Sequence, residues 1–317
     1  MADGEQQRWG LTLPIPGLAL RDHEPAVRAA EAAGYTDLWT GEVQGADGFT
    51  PLALAAGWTE QIRLGTGVVG VFQRGPALLA MEAAALADAS DGRFALGIGS
   101  SSDVIVERWN GIPFEKPLSK VSETIDFLRA ALAGERAGDG FKLEQAPSAP
   151  VPIIVAALRG KMLELAATKG DGAFTNFLPL SGVERVREQL TDAPPGFELL
   201  CRFFCLPGPR ERVEGVARLM FAAYATVPVY EQFFRWLGHG PQIDPMVEAW
   251  RAGDRDRALA AVPWELLEEV FILGEPPEIR ERIGEFVQRG ITVPVPMLVT
   301  EPDRVVDLIE ALGPNAG

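Results

Sequence analysis

Between Arg63 and Asp103 the chain sets a strand, a glycine-rich turn, a helix, a second strand and a second glycine-rich turn end to end with almost no spare residue. Ile62-Arg63-Leu64 runs into Gly65-Thr66-Gly67-Val68-Val69-Gly70, and Arg93-Phe94-Ala95-Leu96 runs into Gly97-Ile98-Gly99-Ser100-Ser101-Ser102. Between them, Pro76 to Asp91 reads as a helix, with Pro where a first turn accepts it, Gly92 just past the end, and Leu79, Ala83 and Leu86 on one face. Both turns follow the carboxyl end of a strand. In open sheets and barrels alike, loops converge there and backbone amides can point at one guest. Gly65, Gly67 and Gly70 also match G-x-G-x-x-G, yet a dinucleotide fingerprint needs a helix opening inside the motif, and here the helix waits until Pro76. An isolated match would mean only a tight turn. Two such loops in register, each ending a strand, mark a ligand site.

The joint in which a helix ends on glycine and a strand follows at once recurs at Gly34, Gly92, Gly170 and Gly290. Short loops of this kind belong to one side of an α/β unit. The strand-to-helix connections are longer and richer in Gly, Ser, Trp and charge, an asymmetry that favours a (β/α)₈ TIM barrel. Eight strands are expected near 9–13, 36–40, 62–68, 93–98, 152–156, 172–176, 197–205 and 291–298, with a doubly wound open sheet as the competing fold. The first helix is expected to start near Asp22 as N-cap, with Pro25 in its first turn. Two stretches exceed ordinary loops. Residues 103–150 contain a helix at about 119–132, and residues 208–274 carry helical patterns near 212–224, 231–236 and 264–271. We expect one domain spanning 1–317, with these two insertions at the barrel's C-terminal face, where they set substrate access.

The 317 residues can bury a substantial core. No apolar run reaches the roughly 18 residues of a membrane span, and Met1 to Trp9 is polar, so a cytoplasmic protein is expected. A net charge of −15 disfavours nucleic acid and anionic lipid as partners. Cys201 and Cys205 lie in an apolar run and read as small core residues. With only His23 and His239 in the chain, paired-histidine metal sites and Ser-His chemistry have little material, and acid–base work falls to carboxylates or a cofactor.

In order and spacing, the Trp39-bearing strand, Leu64-Gly65-Thr66-Gly67-Val68, Gly92-Arg93-Phe94-Ala95-Leu96-Gly97-Ile98-Gly99 and the run from Ala156 to Ala166 together resemble the luciferase-like monooxygenase family. The likeness is greatest to the branch that uses the deazaflavin coenzyme F420, and Ser101 to Gly111 resembles a subgroup of actinobacterial F420-dependent oxidoreductases. It implies a cis peptide at Gly67-Val68 beneath the deazaflavin ring, with Gly70, Ser100 and Ser101 lining the cofactor. It also implies that Leu158, Arg159 and Gly160 offer amides to the cofactor phosphate. A helix starting near Gly160 independently suits a phosphate there, while Arg159 reads equally as a surface charge. The family likeness further implies a homodimer and a small-molecule substrate.

The chain departs from the family where several deazaflavin enzymes carry Asp-His after the second strand, since Gly41-Glu42 stands there. A glutamate that some relatives place after the fourth strand falls at Ser102, and Glu107 reads as a helix-face charge. Glu42 is therefore the candidate catalytic residue, for proton transfer or for orienting the reacting group. Three functions compete: an F420-dependent oxidoreductase transferring hydride, an FMN-dependent monooxygenase, and a non-catalytic cofactor-binding barrel.

Overall fold

The structure is a computed structural model that describes residues 7–316, so most of the polar stretch read as lacking a leader lies outside the described residues. Its strands are β1 (Gly10–Leu13), β2 (Asp37–Thr40), β3 (Arg63–Thr66), β4 (Val69–Gly70), β5 (Phe94–Gly99), β6 (Ile153–Ala156), β7 (Gly172–Asn176), β8 (Glu198–Pro207), β9 (Ile272–Gly274) and β10 (Val293–Leu298). They pair in parallel in the order β1-β2-β3-β5-β6-β7-β8-β10, with β4 added to β5 and β9 to β8. The two ends of that order meet. A Cβ built on Gly10 of β1 would lie 3.1 Å from Val295 Cγ2 and 3.2 Å from the Pro294 carbonyl oxygen of β10. The fold is thus a nearly closed eight-stranded parallel barrel and not an open sheet. Pro294 and Pro296 lack amide hydrogens, which suits β10 to the end of the hydrogen-bonded order.

Helices α1 (Glu24–Ala32), α2 (Thr50–Trp58), α3 (Pro76–Ala89), α4 (Pro117–Leu132), α5 (Lys161–Lys169) and α6 (Val183–Arg187) alternate with the strands. After β8 the chain forms α7 (Arg210–Ala225), α8 (Pro228–Trp236), α9 (Gly240–Arg251), α10 (Arg255–Ala260) and α11 (Trp264–Val270), then closes with α12 (Pro276–Gln288) and α13 (Val305–Leu312). Among the described residues no helix is long and apolar enough to cross a membrane. Five helices, α2, α6, α9, α10 and α13, escape the pattern of the sequence, three of them for visible reasons. α2 is apolar nearly all round and shows no helical period, α9 carries Pro241 at its start and Pro245 inside, and α10 is only six residues long.

Two helix ends differ from expectation. His23, not Asp22, precedes α1. Asp22 instead ends a short 3₁₀ turn, and the His23 ring accepts the Ile15 amide at 2.8 Å and meets the Ala19 carbonyl at 2.9 Å. Of the four glycines at helix–strand joints, Gly34, Gly92 and Gly290 have positive φ (90°, 77° and 112°), whereas Gly170 is extended at −91°. Space decides there, since a Cβ on Gly170 would lie 2.8 Å from the Ala166 carbonyl oxygen.

Inside the barrel, Trp39, Ala95, Ile154, Phe174, Leu200, Val293 and Val295 form an apolar layer. The Trp39 indole is fully buried, edge-on to Phe174 at 5.5 Å, and fits because Gly65 faces it: a Cβ there would come within 2.2 Å of the ring. Below this layer, at the strands' N-terminal ends, Arg8, Asp37, Arg63 and Glu198 close the barrel with ion pairs. Cys201 and Cys205 are buried free thiols, and burial pushes both thiols well above their ordinary range.

β3 and β5 pair only at Leu64–Phe94 and Gly65–Ala95. Beyond that point the Thr66 hydroxyl takes over, donating to the Gly97 carbonyl and accepting its amide, both at 2.8 Å. A Cβ on Gly97 would sit 1.8 Å from the Thr66 carbonyl oxygen, so Gly97→Ala must push the two strands apart. We expect a loss of about 1–3 kcal/mol in urea unfolding. A variant as stable as the parent would show that β3 yields freely at this level.

Candidate active site

The opposite end of the barrel, at the carboxyl ends of β2, β3, β5 and β6, gathers all the residues singled out in the sequence. The Gly67–Val68 peptide is cis. The Gly67 amide donates to the Thr40 carbonyl at 2.6 Å, which ties the end of β3 to that of β2. A Cβ on Gly67 would lie 2.6 Å from the Phe174 ring, and one on Gly99 would lie 2.8 Å from Ala156 Cβ and 3.0 Å from Val68. Glycines therefore let four neighbouring strands bring their backbones together around Val68 and Phe174.

The two glycine turns touch through a residue that the motifs do not contain. Gln73 folds back over Gly70, where a Cβ would be 2.1 Å from its Oε1, and its Nε2 donates to Ser101 Oγ at 3.3 Å. Gln73 Oε1 is buried with no partner among the described residues, and Ser101 is held at φ 63°. The Ser100 hydroxyl makes only a long contact, 3.4 Å, with the Ser101 carbonyl.

On the next strand, Leu158, Arg159 and Gly160 form the loop from β6 to α5. Gly160 has φ 55°, and a Cβ there would meet nothing within 4 Å. No side chain caps α5. The Leu163 and Glu164 amides bond to the Gly160 carbonyl at 2.8 and 3.2 Å, while the earlier amides of the first turn have no intrahelical partner. Arg159 Nε is buried without a partner among the described residues. An uncapped helix start beside an unsatisfied guanidinium N–H has the donor chemistry of a phosphate site.

Glu42 follows β2 and Gly41, but it is already engaged. Its Oε2 pairs with Arg74 Nη1 at 2.5 Å and its Oε1 accepts the Gly48 amide at 3.1 Å. Arg74 also reaches Glu82 at 3.2 Å and lies 5.4 Å from the Phe49 ring centre. Burial pulls the Arg74 pKa down, yet Glu42 and Glu82 more than offset it and the net direction is upward. Burial also raises the Glu82 carboxyl, against the opposing pull of Arg74. A carboxylate holding both a guanidinium and a loop amide is built to position the β2 loop. Glu107, read as a helix-face charge, accepts the Phe114 amide at 3.1 Å.

Gln73, Arg74, Phe174 and Arg202 at this end were not read from the sequence. Only Arg202 left a signal, as the lone charge in the apolar run Leu199 to Leu206. At the other end of the barrel a cleft of about 240 Å³ is lined by Arg129, Pro150, Val151, Asp171 and Glu198. It lies at the strands' N-terminal ends, the face that serves stability in barrels, and offers no nucleophile.

Residues 4–293 match the family model described as luciferase-like monooxygenase. The chain belongs to the luciferase-like monooxygenase family. Two similar proteins are a Mycobacterium tuberculosis protein provisionally named a coenzyme F420-dependent oxidoreductase and a 5,10-methylenetetrahydromethanopterin reductase of Methanolobus tindarius. The first is 28% identical, covering 95% of each chain. The second is 35% identical over 84% of this chain and 86% of the relative. Among solved structures, the coenzyme F420-dependent tetrahydromethanopterin reductase of Methanopyrus kandleri superposes with a TM-score of 0.79 at 18% identity, over 96% of this chain and 98% of that one. The family is one of enzymes, and the Mycobacterium tuberculosis relative is named for F420 dependence.

Proposed function

We propose that the protein is an F420-dependent oxidoreductase that exchanges hydride between the deazaflavin and a small organic substrate. One observation carries the assignment of a phosphate-bearing cofactor: the buried Arg159 Nε, without a partner among the described residues, beside the uncapped start of α5, one strand along from the glycine-lined rim. In this reading Leu158, Arg159 and Gly160 hold the cofactor phosphate, Gly67 and Val68 support the ring, and Gly70, Ser100 and Ser101 line it. The name of the Mycobacterium tuberculosis relative supports F420 over FMN. When bound, the deazaflavin supplies the hydride chemistry. The residues of the chain align the substrate against it, exclude water and handle the proton. Glu42 acts here as a positioning residue through Arg74.

The reading extends to a homodimer, and the exposed apolar side chains of Val43, Leu78 and Met81 support it. An FMN-dependent monooxygenase is the alternative that the family name keeps open. Fluorescence titration of both cofactors decides between them. We expect F420 to bind at least about tenfold more tightly than FMN, and Arg159→Gln to weaken F420 by about tenfold, the value of one charge-assisted hydrogen bond. Equal or tighter FMN binding would overturn the F420 assignment.

A further inference from the structure

Two arginines enter the barrel interior from opposite ends, and their surroundings differ. Arg63, at the N-terminal end, is held by both Asp37 and Glu198 at 2.6 Å. Arg202, near the mouth, has no carboxylate within ion-pair distance among the described residues. Its Nε donates to Thr12 Oγ1 and its Nη2 to the Thr40 carbonyl, each at 3.2 Å. Both acceptors are neutral. Nη1 makes no hydrogen bond among the described residues and faces Gly41, where a Cβ would come within 3.3 Å of it.

The surroundings are aromatic. The guanidinium lies 5.1 Å from the centre of the Phe174 ring, and a Cβ on Gly67 of the cis peptide would meet that same ring. Tyr224 and Tyr230 of the helical segment after β8 are close enough to act on its charge, and Asn176 donates to the Tyr230 hydroxyl at 3.1 Å. Burial lowers the Arg202 pKa, with Tyr224, Tyr230 and Cys201 opposing. Two neutral acceptors and a ring face offset only part of the desolvation cost of this cation, and no anion completes it among the described residues. Its Nη1 keeps N–H groups that no described residue uses, and a carboxylate is the acceptor that suits a guanidinium best.

We propose that Arg202 is a specificity-determining residue that anchors the carboxylate of a small organic acid, whose apolar body lies among Phe174, Tyr224 and Tyr230. That the acid is the hydride-exchanging substrate rests on the oxidoreductase reading above. The carboxylate site itself does not. The shared chemistry is a planar anion accepting hydrogen bonds from Nη1, which a deazaflavin ring could also present, and the two sources are separable.

The test titrates benzoate and the neutral benzyl alcohol into the protein without added cofactor, by calorimetry or ligand-observed NMR, and F420 in a separate series. We expect benzoate to bind at least about tenfold more tightly than benzyl alcohol. Arg202→Met should weaken benzoate by about 10- to 100-fold, and Arg202→Lys, which keeps the charge but not the fork, by about tenfold. F420 affinity should stay within about threefold in both variants. Equal binding of benzoate and benzyl alcohol by the unmodified protein overturns the proposal, and this comparison does not depend on any variant folding. Loss of F420 affinity with benzoate binding unchanged assigns Arg202 to the cofactor and also overturns it. Failure of the oxidoreductase reading would appear instead as preference for FMN, leaving the benzoate series untouched.

Discussion

Asp37→Asn should lower the free energy of unfolding by about 3–5 kcal/mol, the cost of leaving a buried charge without its partner. The Asp37 side chain is fully buried and accepts four hydrogen bonds, from Arg63 Nε at 2.6 Å, Arg8 Nη2 at 2.8 Å, Arg8 Nε at 3.0 Å and Thr36 Oγ1 at 2.6 Å. Asparagine keeps the shape but turns one acceptor oxygen into a donor facing guanidinium groups. It also leaves two arginines to share Glu198. Arg63 is only 14% exposed, so water cannot make up the difference. Burial pulls the Arg63 pKa down while Asp37 and Glu198 carry it upward, which shows how far the guanidinium relies on those anions. Urea unfolding at neutral pH measures the loss, and a change under about 1 kcal/mol would mean that the network relaxes into solvent. Because the network lies at the end of the barrel away from the rim, cofactor affinity in the folded variant should be unchanged.

The second large effect is expected on catalysis. Glu42→Gln should reduce kcat by about 10²-fold, the low end of what a lost acid–base or orienting group costs, with F420 affinity within a few-fold of the parent. The Arg74 ion pair gives the reason for choosing that end of the range. Glu42 is engaged by Arg74 at 2.5 Å and by the Gly48 amide at 3.1 Å, so on the proposed reading its role is to fix Arg74 and the loop that follows β2. If so, Arg74→Gln should match Glu42→Gln and the double variant should add little, because the two residues act as a unit. A limb of the pH–rate profile on which activity falls with rising pH, lost only in Glu42→Gln, would instead make Glu42 the proton donor. Parent-like turnover of the Gln variant on a confirmed substrate would leave Glu42 as loop alone.

The sequence alone determined the parts of this protein that local chemistry specifies. Strand positions follow from short apolar runs bounded by glycine and proline, and the ends of the expected eight lie within two residues of those observed. The expected strand 62–68 runs two residues past β3, which stops at Thr66, with β4 following at Val69. The glycine turns after β3 and β5 and the loop before α5 were also legible, because glycine, serine and helix-start signals are contiguous in the chain. What the tertiary structure decided is every relation between charges distant in sequence. Arg63 meets Glu198 across 135 residues, Glu42 meets Arg74 across 32, and Arg202 meets Thr12 across 190. Hydrophobic periodicity says which face of a strand turns inward, and that much placed Cys201 and Cys205 in an apolar run. It cannot say which side chain from another strand arrives at the same height. That depends on barrel closure and register, which are summed over the whole chain and written at no single place in it.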